Sequence, residues 1–66
     1  MNKDKTIASL IEFRDKLGKD KSDKAVNVVR RDIRDKIFWL QKHNSSDVIN
    51  LLFLKEATQK MKALLG

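Results

Sequence analysis

The feature that most constrains this chain is a helical repeat of apolar residues in a sequence without proline. Gly18 and Gly66 are the only glycines, so no strong helix breaker lies between them. From residue 24 to residue 43 apolar side chains recur every three or four positions and lie within about 80° on a helical wheel. No alternation of period two and no Asn-Gly or Asp-Gly hairpin signal competes with this pattern. The segment therefore predicts an amphipathic helix whose apolar stripe is Val26, Val29, Ile33, Ile37 and Leu40.

Two further segments show the same period. Residues 5–17 predict a first helix, because Ile7, Leu10, Ile11 and Leu17 recur at helical spacing and Gly18 can take the left-handed position after a helix end. Residues 47–65 predict a third helix. Its second half has one apolar face, whereas its first half is apolar on nearly all sides. The predicted fold is all-α, with a long hairpin of helices two and three and a shorter N-terminal helix.

Polar side chains at the predicted boundaries are candidate N-caps, because their oxygens can accept a hydrogen bond from the free N–H groups of a first turn. Asp4 or Thr6 is the candidate for the first helix, Ser22 or Asp23 for the second, and Ser45 or Ser46 for the third. Within the helices, Glu12–Lys16, Asp32–Lys36 and Glu56–Lys60 are acid-first pairs four residues apart. Each such pair stabilises a helix by about 0.2–0.5 kcal/mol.

The size of the chain limits how it can be stabilised. A single domain of 66 residues buries only about 60% of its unfolded surface, so it folds marginally alone. With no cysteine it has neither a disulfide nor a thiolate zinc site. Self-association is the remaining common support, and we expect it here.

An uncovered apolar corner is the candidate interaction surface. At about 1.5 Å per residue the first helix is roughly 20 Å long and the others nearer 30 Å, so the first should reach along the second only to about Ile37. The end of helix two and the start of helix three would then be exposed. Alternatively, helix one crosses obliquely and covers them. The candidate residues are Phe38, Trp39, Val48, Ile49, Leu52 and Phe53.

A second candidate surface is basic. The net charge is +6, and it is spread along the chain rather than gathered in one arm. Lys24, Arg30, Arg31 and Arg34 make a local basic focus on helix two, which is either a solvated face or a set of phosphate contacts. A helix-turn-helix is disfavoured, because the start of helix three would present apolar residues to the DNA groove.

The sequence offers no catalytic or metal-binding set. His43, Ser45, Ser46 and Asp47 include the residue types of a hydrolytic triad, but they lie in one helix–helix turn, where caps are expected. One histidine cannot supply a zinc site. We therefore expect no enzyme activity, no cofactor, no metal and no small-molecule substrate.

These patterns indicate a small non-enzymatic protein–protein interaction module or adaptor. The expected partner is a second copy, giving a homodimer, or another protein. The alternative is a small basic nucleic-acid-binding regulator. No stretch resembles a targeting signal, and the longest apolar run, at residues 51–54, is far shorter than the roughly 20 residues of a membrane span. We therefore expect a cytoplasmic protein.

Overall fold

Three α-helices account for most of the chain. The computed structural model describes residues 2–18 and 23–65. In chain order the helices are α1 (Lys3–Lys16), α2 (Lys24–Lys42) and α3 (Asp47–Leu65), and these described residues contain no strand. The predicted all-α fold with a long α2–α3 hairpin and a shorter α1 is confirmed.

Consecutive helices run in opposite directions. Across the α2–α3 boundary, Asp32 pairs with Lys60, and Lys36, one turn further along α2, pairs with Glu56. Positions thus advance along α2 while they recede along α3. At the other boundary, the Nζ of Lys3 at the start of α1 donates to the carbonyl of His43, just after α2, at 3.2 Å. All three helices contact one another.

The core is small and apolar, and it is supplied by all three helices. Four of the five residues in the predicted α2 stripe are buried, and the fifth, Val26, is half-buried and packs against the core. The buried apolar side chains of the described residues are Leu10, Leu17, Val29, Ile33, Ile37, Leu40, Ala57 and Met61.

The start of α1 differs from its prediction. The N-cap is Asn2, whose Oδ1 accepts from the backbone N–H of Lys5 at 3.0 Å. The predicted caps were wrong, because both candidates lie inside the helix. Asp4 lies in the first turn, and Thr6 is fully buried with its hydroxyl donating to the carbonyl of Asn2 at 2.9 Å. At the other end, Gly18 has φ +71°, so the predicted left-handed position is confirmed.

At the start of α2 and at the start of α3, one of the two predicted N-cap residues is confirmed. The Oδ1 of Asp23 accepts from the N–H groups of Ala25 and Val26 at 3.0 and 3.2 Å. Its alternative, Ser22, lies outside the described residues. The Oγ of Ser46 accepts from the N–H of Ile49 at 3.2 Å and therefore caps α3.

The start of α1 lies beside the end of α2. The Nζ of Lys3, the first residue of α1, donates to the carbonyl of His43, the residue after α2. With 14 residues α1 is about as long as predicted, and it begins and ends slightly earlier in the chain.

Candidate functional site

The aromatic residues of the predicted corner pack partly against the protein itself. The rings of Trp39 and Phe53 meet edge to face, with centroids 5.3 Å apart, and Trp39 also stacks on His43 at 4.7 Å. Both Trp39 and Phe53 are half-buried against the core. These two side chains therefore join α2 to α3 and offer only part of their surface to a partner.

The outer side of α3 carries an exposed apolar strip. Val48, Leu51 and Leu52 are 67%, 46% and 56% exposed. At spacings of three and four residues they lie on one side of the helix. We call these three residues the α3 strip. Ile49 is half-buried and lies about 100° around the helix from Val48.

Leu51 was missing from the predicted corner although its exposure now places it in the strip. The signal for it was present, because the first half of α3 is apolar on nearly all sides. Such a helix must expose some apolar residues when it has only two neighbouring helices.

Phe38 lies apart from the other corner residues. It is 57% exposed, about 100° around α2 from Trp39, and the Nζ of Lys42 lies over its ring at 4.4 Å from the centroid. The prediction placed Phe38 and Trp39 in one corner, whereas the structure directs the two side chains to different sides of α2. Phe38 instead shares its side of α2 with arginines and lysines.

A basic face runs along the outer side of α2. Its members follow one another at spacings of seven, three, four and four residues, so they form one row on the helix surface. All five are exposed. We define the α2 basic face as Lys24, Arg31, Arg34, Phe38 and Lys42.

Arg30, the fourth predicted phosphate contact, differs from the other three. It is half-buried, and its Nε is buried without a hydrogen-bond partner in the described part of the chain. Arg34 lies 3.5 Å from Asp35, with both side chains 67% exposed. An ion pair this exposed contributes little and leaves the guanidinium available. Lys24, Arg31 and Arg34 therefore belong to one accessible row, and Arg30 lies at its edge.

Four charged side chains connect α2 to α3. The carboxylate of Asp32 accepts from Lys36 at 2.7 Å and from Lys60 at 2.9 Å, and Glu56 lies 3.4 and 3.3 Å from the same two lysines. Lys36 is only 9% exposed, and its Nζ lies 5.6 Å from the centroid of the Phe53 ring. The predicted pairs Asp32–Lys36 and Glu56–Lys60 thus form as parts of one network, whereas Glu12 and Lys16 form no such pair.

The network changes the acidity of two of its members. Burial opposes ionisation of Asp32, but the hydrogen bonds from Lys36 and Lys60 outweigh it and hold the pKa of Asp32 below its ordinary 3.8. The hydrogen bond to Asp32 raises the pKa of Lys60 above 10.5, against a smaller effect of burial. The charged forms are therefore stabilised, and the network joins α2 to α3 beside Phe53.

The polar residues of the turn between α2 and α3 have structural partners. The Oγ of Ser45 donates to the Oδ1 of Asn50, a side chain that is 1% exposed, at 2.6 Å. Ser46 caps α3, and His43 stacks on Trp39. These contacts correspond to the capping interpretation of the turn.

A shallow groove lies between α1 and α3 at the end where both helices finish. Its volume is about 450 Å³. The hydroxyl of Thr58 inside it donates to the carbonyl of Leu54 at 2.8 Å. The groove is lined by Phe13, Lys16, Thr58, Met61, Lys62 and Leu65.

A comparison with protein-family models, with curated proteins and with solved structures finds no match to this chain. Within residues 2–18 and 23–65, no group of three or more His, Cys, Asp and Glu side chains is placed to hold a metal ion. Among the three helices, none has the length and apolar character needed to cross a membrane.

Proposed function

We propose that this chain is a small non-enzymatic interaction module that self-associates through the α3 strip. The observation that carries the proposal is the exposure of Val48, Leu51 and Leu52 on one side of one helix. Contiguous exposed apolar residues of this kind mark interaction surfaces.

A second copy of the chain is the partner that best fits the strip. A small domain gains stability when a copy covers its exposed apolar surface. In an antiparallel two-fold contact, Leu51 and Leu52 of one copy meet the same residues of the other. Lys55, one turn after Leu51, then lies at opposite ends of the contact in the two copies, so the lysines do not repel each other.

The strip needs its neighbours to make a full interface. An ordinary interface covers about 800 Å² per partner, which is about a sixth of the 4765 Å² surface of this chain. Three side chains are too few for that area. The stem of Lys55, one turn after Leu51 on the same side of α3, adds apolar area beside the strip.

Matched valines test the proposal. Val48 in the strip and Val28 on α2 are 67% and 65% exposed, so glutamine at either position perturbs the folded monomer equally little. Sedimentation should show a dimer for the wild type and for Val28→Gln, and a lower mean mass for Val48→Gln. The double variant Leu51→Gln, Leu52→Gln should be monomeric with an unchanged helical circular dichroism spectrum. A wild-type monomer at all concentrations would overturn the proposal.

The second candidate function is nucleic-acid binding through the α2 basic face. It is supported by the single exposed row that contains Lys24, Arg31, Arg34 and Lys42. Contacts to phosphates release counterions, so binding through this row should weaken steeply with salt, whereas self-association through the α3 strip should not. Absence of binding to DNA and RNA even at low salt would remove this candidate.

A further inference from the structure

We propose that the α2 basic face binds single-stranded nucleic acid, with an unpaired base stacked on Phe38 and phosphates held by its basic neighbours. The inference rests on the second candidate function and names the class of nucleic acid. It is independent of self-association, because the α3 strip lies on another helix.

The exposed ring of Phe38 is the first argument. A phenylalanine that is 57% exposed offers its face to a planar partner, and base–aromatic stacking is tolerant of sequence because every base has such a face. The Nζ of Lys42 lies over one face of the ring, 4.4 Å from its centroid. A base that stacks on this face displaces the flexible lysine side chain, whose ammonium group then lies next to the bound base. A phosphate next to that base would meet this charge.

The positions of the other cations are the second argument. Arg34 precedes Phe38 by four residues and Lys42 follows it by four, so cations lie about 6 Å along the helix on either side of the ring. Arg31 continues the row by almost another turn and has no ion pair with any described residue. A strand that follows the row would therefore meet a positive charge before and after the stacked base.

The preference for a single strand follows from the same residues. In a duplex the bases are paired and stacked on each other, so Phe38 would face a groove or a sugar and contribute little. Duplex binding would then depend on Arg31, Arg34 and Lys42 alone. Only an unpaired base uses the ring and the cations together.

Stacking is tested with Phe38→Leu, which keeps an apolar side chain but removes the aromatic face. Fluorescence anisotropy with labelled single-stranded DNA and RNA of mixed sequence should show binding weakened about tenfold. Leu65→Ala is the control, because Leu65 is also strongly exposed but lies at the far end of α3. It should bind like the wild type. Equal affinity of Phe38→Leu and wild type would overturn the stacking contact.

The phosphate contacts are tested with two double variants of equal charge. Arg31→Ala with Arg34→Ala, and Lys5→Ala with Lys62→Ala, each remove two of the net positive charges. In a plot of log binding constant against log salt concentration, the first double variant should reduce the steepness of the slope by about 0.7 per lost phosphate contact. The second should leave that slope nearly unchanged. Equal effects of the two would indicate diffuse attraction and would overturn the inference.

Competing ligands complete the test. The wild type should bind the single strand more tightly than a duplex of the same sequence. Equal or tighter duplex binding would overturn the inference but keep the second candidate function. No binding to either would overturn both, and tighter binding to vesicles of anionic lipid would assign the face to membranes instead. Circular dichroism of each variant checks that the helices persist.

Discussion

At the scale of single residues, Lys36 shows what sequence spacing can and cannot predict. The spacing predicted its pair with Asp32, because both lie on one side of a helix at positions four apart. It did not predict that Lys36 is 9% exposed or that Glu56 and Lys60 join the pair. Those contacts depend on the antiparallel register of α2 and α3. Register comes from packing between helices and not from either helix alone.

Asp32 and Asp35 differ in their surroundings although they are one turn apart. Asp32→Asn weakens two charge-assisted hydrogen bonds that join α2 to α3, so we expect a loss of about 1–3 kcal/mol in the free energy of unfolding. Asp35→Asn removes the same charge from an exposed pair and should change the free energy of unfolding by less than about 0.5 kcal/mol. Urea denaturation measures both. Equal losses of stability in the two variants would mean that the network does not stabilise the α2–α3 hairpin.

The network also predicts a pH dependence. The pKa of Asp32 is lowered in the folded state. Its contribution to the free energy of unfolding is therefore fully present above about pH 3.8 and is lost as the pH falls through the lower folded pKa. The pKa of Lys60 is raised in the folded state. Its contribution to the free energy of unfolding is therefore present below pH 10.5 and is lost as the pH rises through the higher folded pKa. The wild type should therefore exceed Asp32→Asn by a constant margin between these limits. Thermal melts should show that margin shrinking in acid. A margin that persists at pH values well below 3.8 would contradict this assignment.

At the scale of helices, the sequence predicted α2 and α3 better than α1. The apolar stripe of α2 is regular and Asp23 caps it, so its start and its buried side agree with the prediction. The start of α1 could not be read in the same way. Its first residues, Lys3, Asp4 and Lys5, are charged and show no apolar period, and Asn2 caps them only because the main chain there is extended.

Gly18 is expected to determine how cleanly α1 ends. Its φ of +71° is strained for any side chain with a Cβ, although no atom lies within 4 Å of the place a Cβ would occupy. Gly18→Ala should therefore lower the free energy of unfolding by about 1–2 kcal/mol through the backbone alone. Gly18→Asn should lower it by less, because asparagine tolerates this conformation better. Chemical denaturation measures the free energy of unfolding of both variants. An alanine variant as stable as the wild type would show that the turn can adopt another backbone conformation.

At the scale of the whole molecule, the sequence predicted that apolar residues would be exposed near the α2–α3 turn but not how they are arranged. Helical spacing gives the direction of each side chain around its own helix. It does not give the side on which the other two helices lie. Trp39 faces α3 and is half-buried, whereas Phe38 joins the basic residues. The exposed surface thus divides into an apolar strip on α3 and a basic face on α2.

Two separate surfaces predict a coupling between self-association and nucleic-acid binding. A dimer joined through α3 carries two α2 basic faces, so a strand long enough to reach both should bind at least about tenfold more tightly than a short one, by effective concentration. The double variant Leu51→Gln, Leu52→Gln leaves the net charge and the basic face intact, so it should lose this advantage and bind the short strand as the wild type does. Anisotropy titrations with strands of the two lengths measure both effects. Weaker binding of the variant to the short strand would contradict the separation of the surfaces, because the α3 strip would then be part of the nucleic-acid site. An unchanged length advantage in a variant that sedimentation shows to be monomeric would contradict the coupling itself.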